Sequence, residues 1–190
     1  MKMKSFLAIS SLIAVSGIAC AGAQKTSISS SPKVPTAAPY IVLSNNLDEP
    51  NGYGFCMDTY GPGQSDLMQT HSCKPHKEGQ SRDYSGFDTR FFYNSKTEQV
   101  ASYAFDGMCM QALIASGLNV FALLECSDHA RQKFIYDDSD RTLRLAEDKE
   151  QCVSVASETV PAGPWVKRPL TLQECEKVDA SLKQWNVVSE

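Results

Sequence analysis

Several things are scarce or missing in this sequence, and each absence removes a class of protein. No run of Lys and Arg is long enough to neutralise a series of phosphates, and 18 basic residues face 22 acidic ones for a net charge of −4, which argues against a nucleic-acid partner. The most apolar stretch, Phe6 to Ile18, falls short of the ~20 residues a membrane-crossing helix needs. The three histidines, His71, His76 and His129, form no i, i+4 pair on an expected helix and share no zinc-type spacing with cysteine, so no metal is expected. There is no Gly-x-Ser-x-Gly elbow, no Gly-rich phosphate loop opening a helix and no Cys-x-x-Cys. The chain therefore reads as a non-enzyme, with no catalytic residues and no cofactor.

The N-terminus has the grammar of an export signal. Lys2 and Lys4 precede the apolar stretch, and Ala21-Gly22-Ala23 is a small-x-small cleavage site, so residues 1–23 are expected to be a signal peptide. Cutting after Ala23 is favoured because it leaves an even six of the seven cysteines. The alternative is a lipoprotein signal ending at Cys20, although Gly17 stands where such a signal usually has an aliphatic residue. The corresponding locations are secreted, or lipid-anchored at the cell surface or outer membrane; both are oxidising. Residues 24–39, QKTSISSSPKVPTAAP, are rich in Ser, Thr and Pro and read as a flexible spacer, with one folded domain over 40–190.

The remaining cysteines recur in threes. Cys56/Cys73, Cys109/Cys126 and Cys152/Cys175 each bracket a similar stretch, and the first members return at intervals of roughly 50 residues. Each pair is surrounded by a first Cys in a strand-like run (FCMDTYG, MCMQALI, QCVSVAS) and a second run ending in Cys (LMQTHSC, NVFALLEC, PLTLQEC). A segment bearing an aromatic follows (DTRFFYN, RQKFIYD, LKQWNVV). Phe91, Phe134 and Trp185 take equivalent places among β-branched and aromatic neighbours, which is strand chemistry and a core assignment. The spacing predicts four short strands per unit, roughly twelve in all. In Asp140–Glu150, Leu143 and Leu145 alternate with polar residues, so a short strand and a polar turn are expected there in place of a helix. At most a single 3₁₀ turn is expected.

Over residues 40–190 this pattern resembles the ricin B-type lectin family, whose members carry three such repeats, each with an internal disulfide and a Gln-x-Trp motif. Gln132-Lys133-Phe134 is a Gln-x-aromatic version of that motif; Thr89-Arg90-Phe91 and Lys183-Gln184-Trp185 keep the aromatic alone. The resemblance implies a single all-β β-trefoil with one disulfide per repeat. It also implies binding of extracellular glycans, galactose-type sugars in particular. In that family a sugar contacts an Asp two residues after the first Cys, a Gln four before the second, an aromatic two before it, and a polar residue ahead of the Gln-x-Trp. The first repeat matches with Asp58, Gln69, His71 in the aromatic's place, and Asp88 or Thr89. Tyr60 and the insert 74–87, with Tyr84, would add a wall. The second repeat offers Gln111, Ala122 and Leu124, and the third Ser154, Thr171 and Gln173, so both sites read as vacated.

Two other functions compete. Exported chains with degenerate repeats of this kind resemble accessory subunits of cytolethal distending toxins, which implies a receptor-binding or assembly subunit with a protein partner. The stretch Val160 to Leu170, with Trp165, Lys167 and Arg168, reads as a long loop suited to protease inhibition. The acidic clusters Asp137-Asp138-Ser139-Asp140 and Glu147-Asp148-Lys149-Glu150 read as solvated turns and not as a carboxylate pair for glycoside hydrolysis.

Overall fold

The computed structural model describes residues 30–60, 67–75, 86–115 and 118–189. The expected signal peptide, Cys20, His76 and Tyr84 lie outside them. Among the described residues there are thirteen β-strands. The first repeat supplies β1 (Tyr40–Leu43), β2 (Phe55–Thr59), β3 (Met68–Ser72) and β4 (Phe91–Asn94). The second supplies β5 (Gln99–Ser102), β6 (Met108–Ala115), β7 (Leu118–Glu125) and β8 (Phe134–Asp137). The third supplies β9 (Thr142–Leu145), β10 (Asp148–Val155), β11 (Val160–Ala162), β12 (Trp165–Glu174) and β13 (Trp185–Val188). Three-residue 3₁₀ turns occur at Ala130–Gln132, Cys175–Lys177 and Ala180–Leu182, more than the single turn expected.

Threefold order comes from how the repeats join. The last strand of each repeat pairs antiparallel with the first strand of the next: β4 with β5, β8 with β9, and β13 back with β1. The residue before each core aromatic accepts a backbone bond from the far end of that ladder: Ser44 N donates to Gln184 O at 2.8 Å, Tyr103 N to Arg90 O at 2.9 Å, and Ala146 N to Lys133 O at 2.9 Å. The middle strands form the hairpins β2–β3, β6–β7 and β10–β12. Each is clipped by its own disulfide, Cys56–Cys73, Cys109–Cys126 and Cys152–Cys175, as the spacing predicts.

Alternation in the strands sends one side chain per repeat into each layer of a shared core. Phe91, Phe134 and Trp185 are fully buried, as are Ile41, Val100 and Leu143, and Met57, Met110 and Val153. Trp185 also donates its indole N–H to Val153 O at 2.9 Å, which satisfies the ring's only polar group. Leu143 and Leu145 are buried on β9 with Arg144 between them more exposed, which is the alternation read from the sequence.

Two expectations are corrected. Residues 30–39 are not a free spacer. Lys33 N donates to Gly52 O at 2.6 Å, Thr36 Oγ1 to the Lys74 carbonyl at 2.8 Å, and Val34 packs on Val42 and the first disulfide. Composition reads this segment as solvated because its few apolar groups are buried only by contact with distant strands. Nor is 160–170 an exposed inhibitory loop. It is the β11–β12 hairpin, turning at Gly163 with φ +65°, and β12 also pairs with β3 through Lys167↔His71, Arg168↔Thr70 and Pro169↔Gln69. Arg168 is buried, donating to Ala156 O at 2.6 Å and to Asp48 Oδ1 at 2.5 Å, so it cannot be presented to a protease.

Candidate functional site

The first repeat brings Asp58, Gln69, His71 and Asp88 towards one another, but around a residue the sequence pattern did not single out. Asp58 on β2 and Gln69 on β3 are cross-strand partners. Lys74, directly after Cys73, places its ammonium 3.0 Å from Asp58 Oδ2 and 3.2 Å from both Asp88 carboxylate oxygens. Asp88 Oδ1 also accepts from Gly86 N at 3.0 Å, and Thr89 Oγ1 donates to Gly86 O at 3.1 Å. Thr89 thus closes its own turn and does not face the cluster's cation. Nothing in the local pattern marks Lys74, which is 16 residues from Asp58 and 14 from Asp88 and reaches both only through the fold.

All of these side chains are buried, Asp58 to 1 % exposure. Loss of hydration raises the Asp58 carboxyl to a pKa of about 7, opposed by the Lys74 charge. Burial, reinforced by the same ammonium, lowers His71 to about 4. Burial also disfavours the Lys74 ammonium, but the two carboxylates outweigh it and raise its pKa. At neutral pH His71 is an uncharged ring, with Nδ1 3.0 Å from Ser72 O. Within this cluster, Asp58 Oδ1 and Gln69 Oε1 find no hydrogen-bond partner among the described residues. Gln69 Nε2 donates to Thr59 O at 3.2 Å, which fixes the amide and leaves its oxygen turned elsewhere.

Gln69, itself buried, also borders a cleft. With Tyr60, Leu67, Val120, Val160, Lys167 and Leu170 it lines an apolar cleft of about 390 Å³ where the hairpins of the three repeats meet. Tyr60 is 53 % exposed, and the Lys167 ammonium lies over its ring, 4.2 Å from the centroid. Tyr60 therefore flanks this cleft.

In the other repeats the equivalent positions serve as ties. Gln111 Oε1 accepts from Gln132 Nε2 at 3.1 Å, and the Gln132 Oε1 accepts from Ser127 N at 2.8 Å. Ser154 Oγ donates to Thr171 O at 3.2 Å. Among the described residues no group of His, Cys, Asp and Glu is arranged to hold a metal ion.

The repeat order, the threefold ladder and the clipped hairpins define a β-trefoil. No protein-family model and no curated protein matches the chain. Solved structures do. The β-trefoil lectin of the Vibrio vulnificus haemolysin/cytolysin, solved with N-acetyl-D-lactosamine bound, aligns with a TM-score of 0.52 at 11 % identity, covering 80 % of this chain and 93 % of that one. A mutant C-terminal domain of an earthworm lectin, in complex with 6'-sialyllactose, aligns at 0.51 and 12 % identity, covering 80 % and 97 %. GalNAc-T7, solved with UDP, GalNAc and Mn2+, aligns at 0.50 and 12 % identity, covering 84 % of this chain but 23 % of that enzyme. At such identities the likeness establishes the fold.

Proposed function

We propose that this chain is a carbohydrate-binding module, exported through its N-terminal signal, that recognises glycans outside the cell. Two of the similar β-trefoils were solved with sugars bound, N-acetyl-D-lactosamine and 6'-sialyllactose. The observation that carries the reading is the apolar cleft flanked by the exposed Tyr60, with the Lys167 ammonium beside its ring. A pyranose offers hydroxyls on one edge and an apolar C–H face on the other, and it needs both a polar partner and a ring to stack on. Lys167 supplies the first and Tyr60 the second. Asp58, Asp88 and Lys74 act behind them as a buried frame holding β2 and β3 in place, with His71 and Thr89 in its walls.

The test is a glycan array on the purified disulfide-bonded chain, beside Tyr60→Ala and Lys167→Ala. We expect binding to a galactose-type glycan and at least a tenfold loss in each variant. An array with no ligand refutes the function, and undiminished binding by both variants refutes the cleft. Assembly with a protein partner, as in a multi-chain toxin, is the second reading, supported by the exposed apolar Leu67 and Val160 at the same cleft. Co-purification of a nuclease-like chain that Leu67→Asp abolishes is its expected signature.

A further inference from the structure

The three repeats build the same groove beside their disulfides, and the chain fills one of them with itself. Val42, Ala101 and Arg144 are equivalent: each pairs on one side with the first Cys of its repeat and on the other with the residue after a core aromatic, Asn186, Phe92 and Ile135. Gly54 and Gly107 are equivalent too, with φ of +80° and +74°. Each accepts at its carbonyl from the second Cys of the repeat, Cys73 N at 2.9 Å and Cys126 N at 2.8 Å.

In the first repeat this groove holds Pro32 to Thr36. A side chain at Gly54 would stand 2.4 Å from Pro32 Cβ, so the segment lies directly on the glycine, and both Cys56 and Cys73 are completely buried beneath it. In the second repeat a side chain at Gly107 would meet nothing within 4 Å, and Cys126 is half-buried. The open groove there has a volume of about 370 Å³ and is lined by Phe92, Ala101, Tyr103, Gly107 and Cys126. Phe92 stands where the first has Asn186 and Tyr103 where it has Ser44, while Gln99 and Asp106 take the places of Tyr40 and Tyr53. The third groove differs in kind, lined by Arg144, Lys149, Lys177, Lys183 and three glutamates.

We propose that the second-repeat groove is a peptide site, taking an extended proline-bearing segment of a partner protein with the character of Pro32-Lys33-Val34. Such a segment suits the groove for the reason the chain's own does: proline loses little conformational entropy on ordering and seats against a residue without a Cβ. The match stops short of Thr36. Its acceptor, the Lys74 carbonyl, corresponds to that of Ser127, which already accepts from Gln99 Nε2 at 2.9 Å. Specificity thus rests on about three residues, and affinity for a free peptide is expected to be weak. This site is separate from the Tyr60 cleft, so it stands whether or not the chain binds sugar.

The probe is a synthetic peptide of residues 31–36, SPKVPT, titrated into the isotope-labelled disulfide-bonded chain. Amide shifts are expected to cluster on Ala101, Gly107 and Cys126 with submillimolar to millimolar saturation. Ala101→Arg, which installs the residue the third repeat carries at this place, should abolish them. Gly107→Asn, which tolerates the positive φ but adds a Cβ where the proline must seat, should abolish binding and serves where the arginine variant does not fold. Absence of shifts at millimolar peptide, shifts confined to the first repeat through exchange of its own segment, or saturation unchanged in the substituted chain each overturns the proposal.

Discussion

At the scale of single residues, the first repeat keeps the polar positions of the lectin pattern but buries them around a charge. Lys74 compensates two buried carboxylates; removing it as Lys74→Met leaves Asp58 and Asp88 without a counter-charge and is expected to cost about 3–5 kcal/mol. Urea denaturation measures that cost, and a loss below about 1 kcal/mol shows the cluster to be solvated. Protonation supplies a second prediction. The folded Asp58 carboxyl is raised to about 7, so between about 4 and 7 the folded state holds a proton the unfolded chain has lost, and this group's contribution falls as pH rises through the window. His71 is lowered to about 4 from 6.5, so the unfolded chain holds the extra proton between those values, and its contribution rises with pH. The two oppose each other in the native protein. His71→Gln should unmask the first, giving a chain more stable at pH 4.5 than at pH 7, and Asp58→Asn the second, with the opposite slope. Parallel pH profiles for both variants would contradict the assignment.

At the scale of elements, the N-terminal segment and the three clips decide what is accessible. Deleting residues 30–36 uncovers Val42 and the first disulfide and removes the bonds from Lys33 and Thr36, a loss of roughly 1–3 kcal/mol in stability. Calorimetry on the shortened chain reads it; an unchanged Tm means the segment is held too loosely to matter. The same covering orders the disulfides by reactivity. Cys126 is half-buried while Cys73 is completely buried, so mild thiol treatment followed by mass mapping should find Cys109–Cys126 opened before Cys56–Cys73. The reverse order would place the segment elsewhere in solution.

At the scale of the whole molecule, the three repeats contribute matching layers to one core. Phe91→Ala, Phe134→Ala and Trp185→Ala should therefore each destabilise by a similar amount, about 3–5 kcal/mol. Trp185 should stand at the upper end, since its loss also strips a donor from the Val153 carbonyl. A much smaller effect at one of the three positions would mean that its repeat folds or frays apart from the others. The symmetry is broken where β3 joins β12 and the extra β11 builds a hairpin, and that junction forms the Tyr60 cleft.

Read alone, the sequence determined the repeat count, the disulfide pairing, the core aromatics and the strand at Thr142–Leu145. All of these depend on spacing and alternation, which are local properties of a chain. Only the tertiary structure decided which polar residues face one another. The ammonium of Lys74 reaches Asp58 and Asp88 across segments far apart in the chain, the 160–170 stretch finds a strand partner in β3, and Pro32 to Thr36 are ordered by a groove made from the first repeat. Burial of a charge, pairing of a strand edge and seating of a proline each depend on a neighbour that no local pattern names.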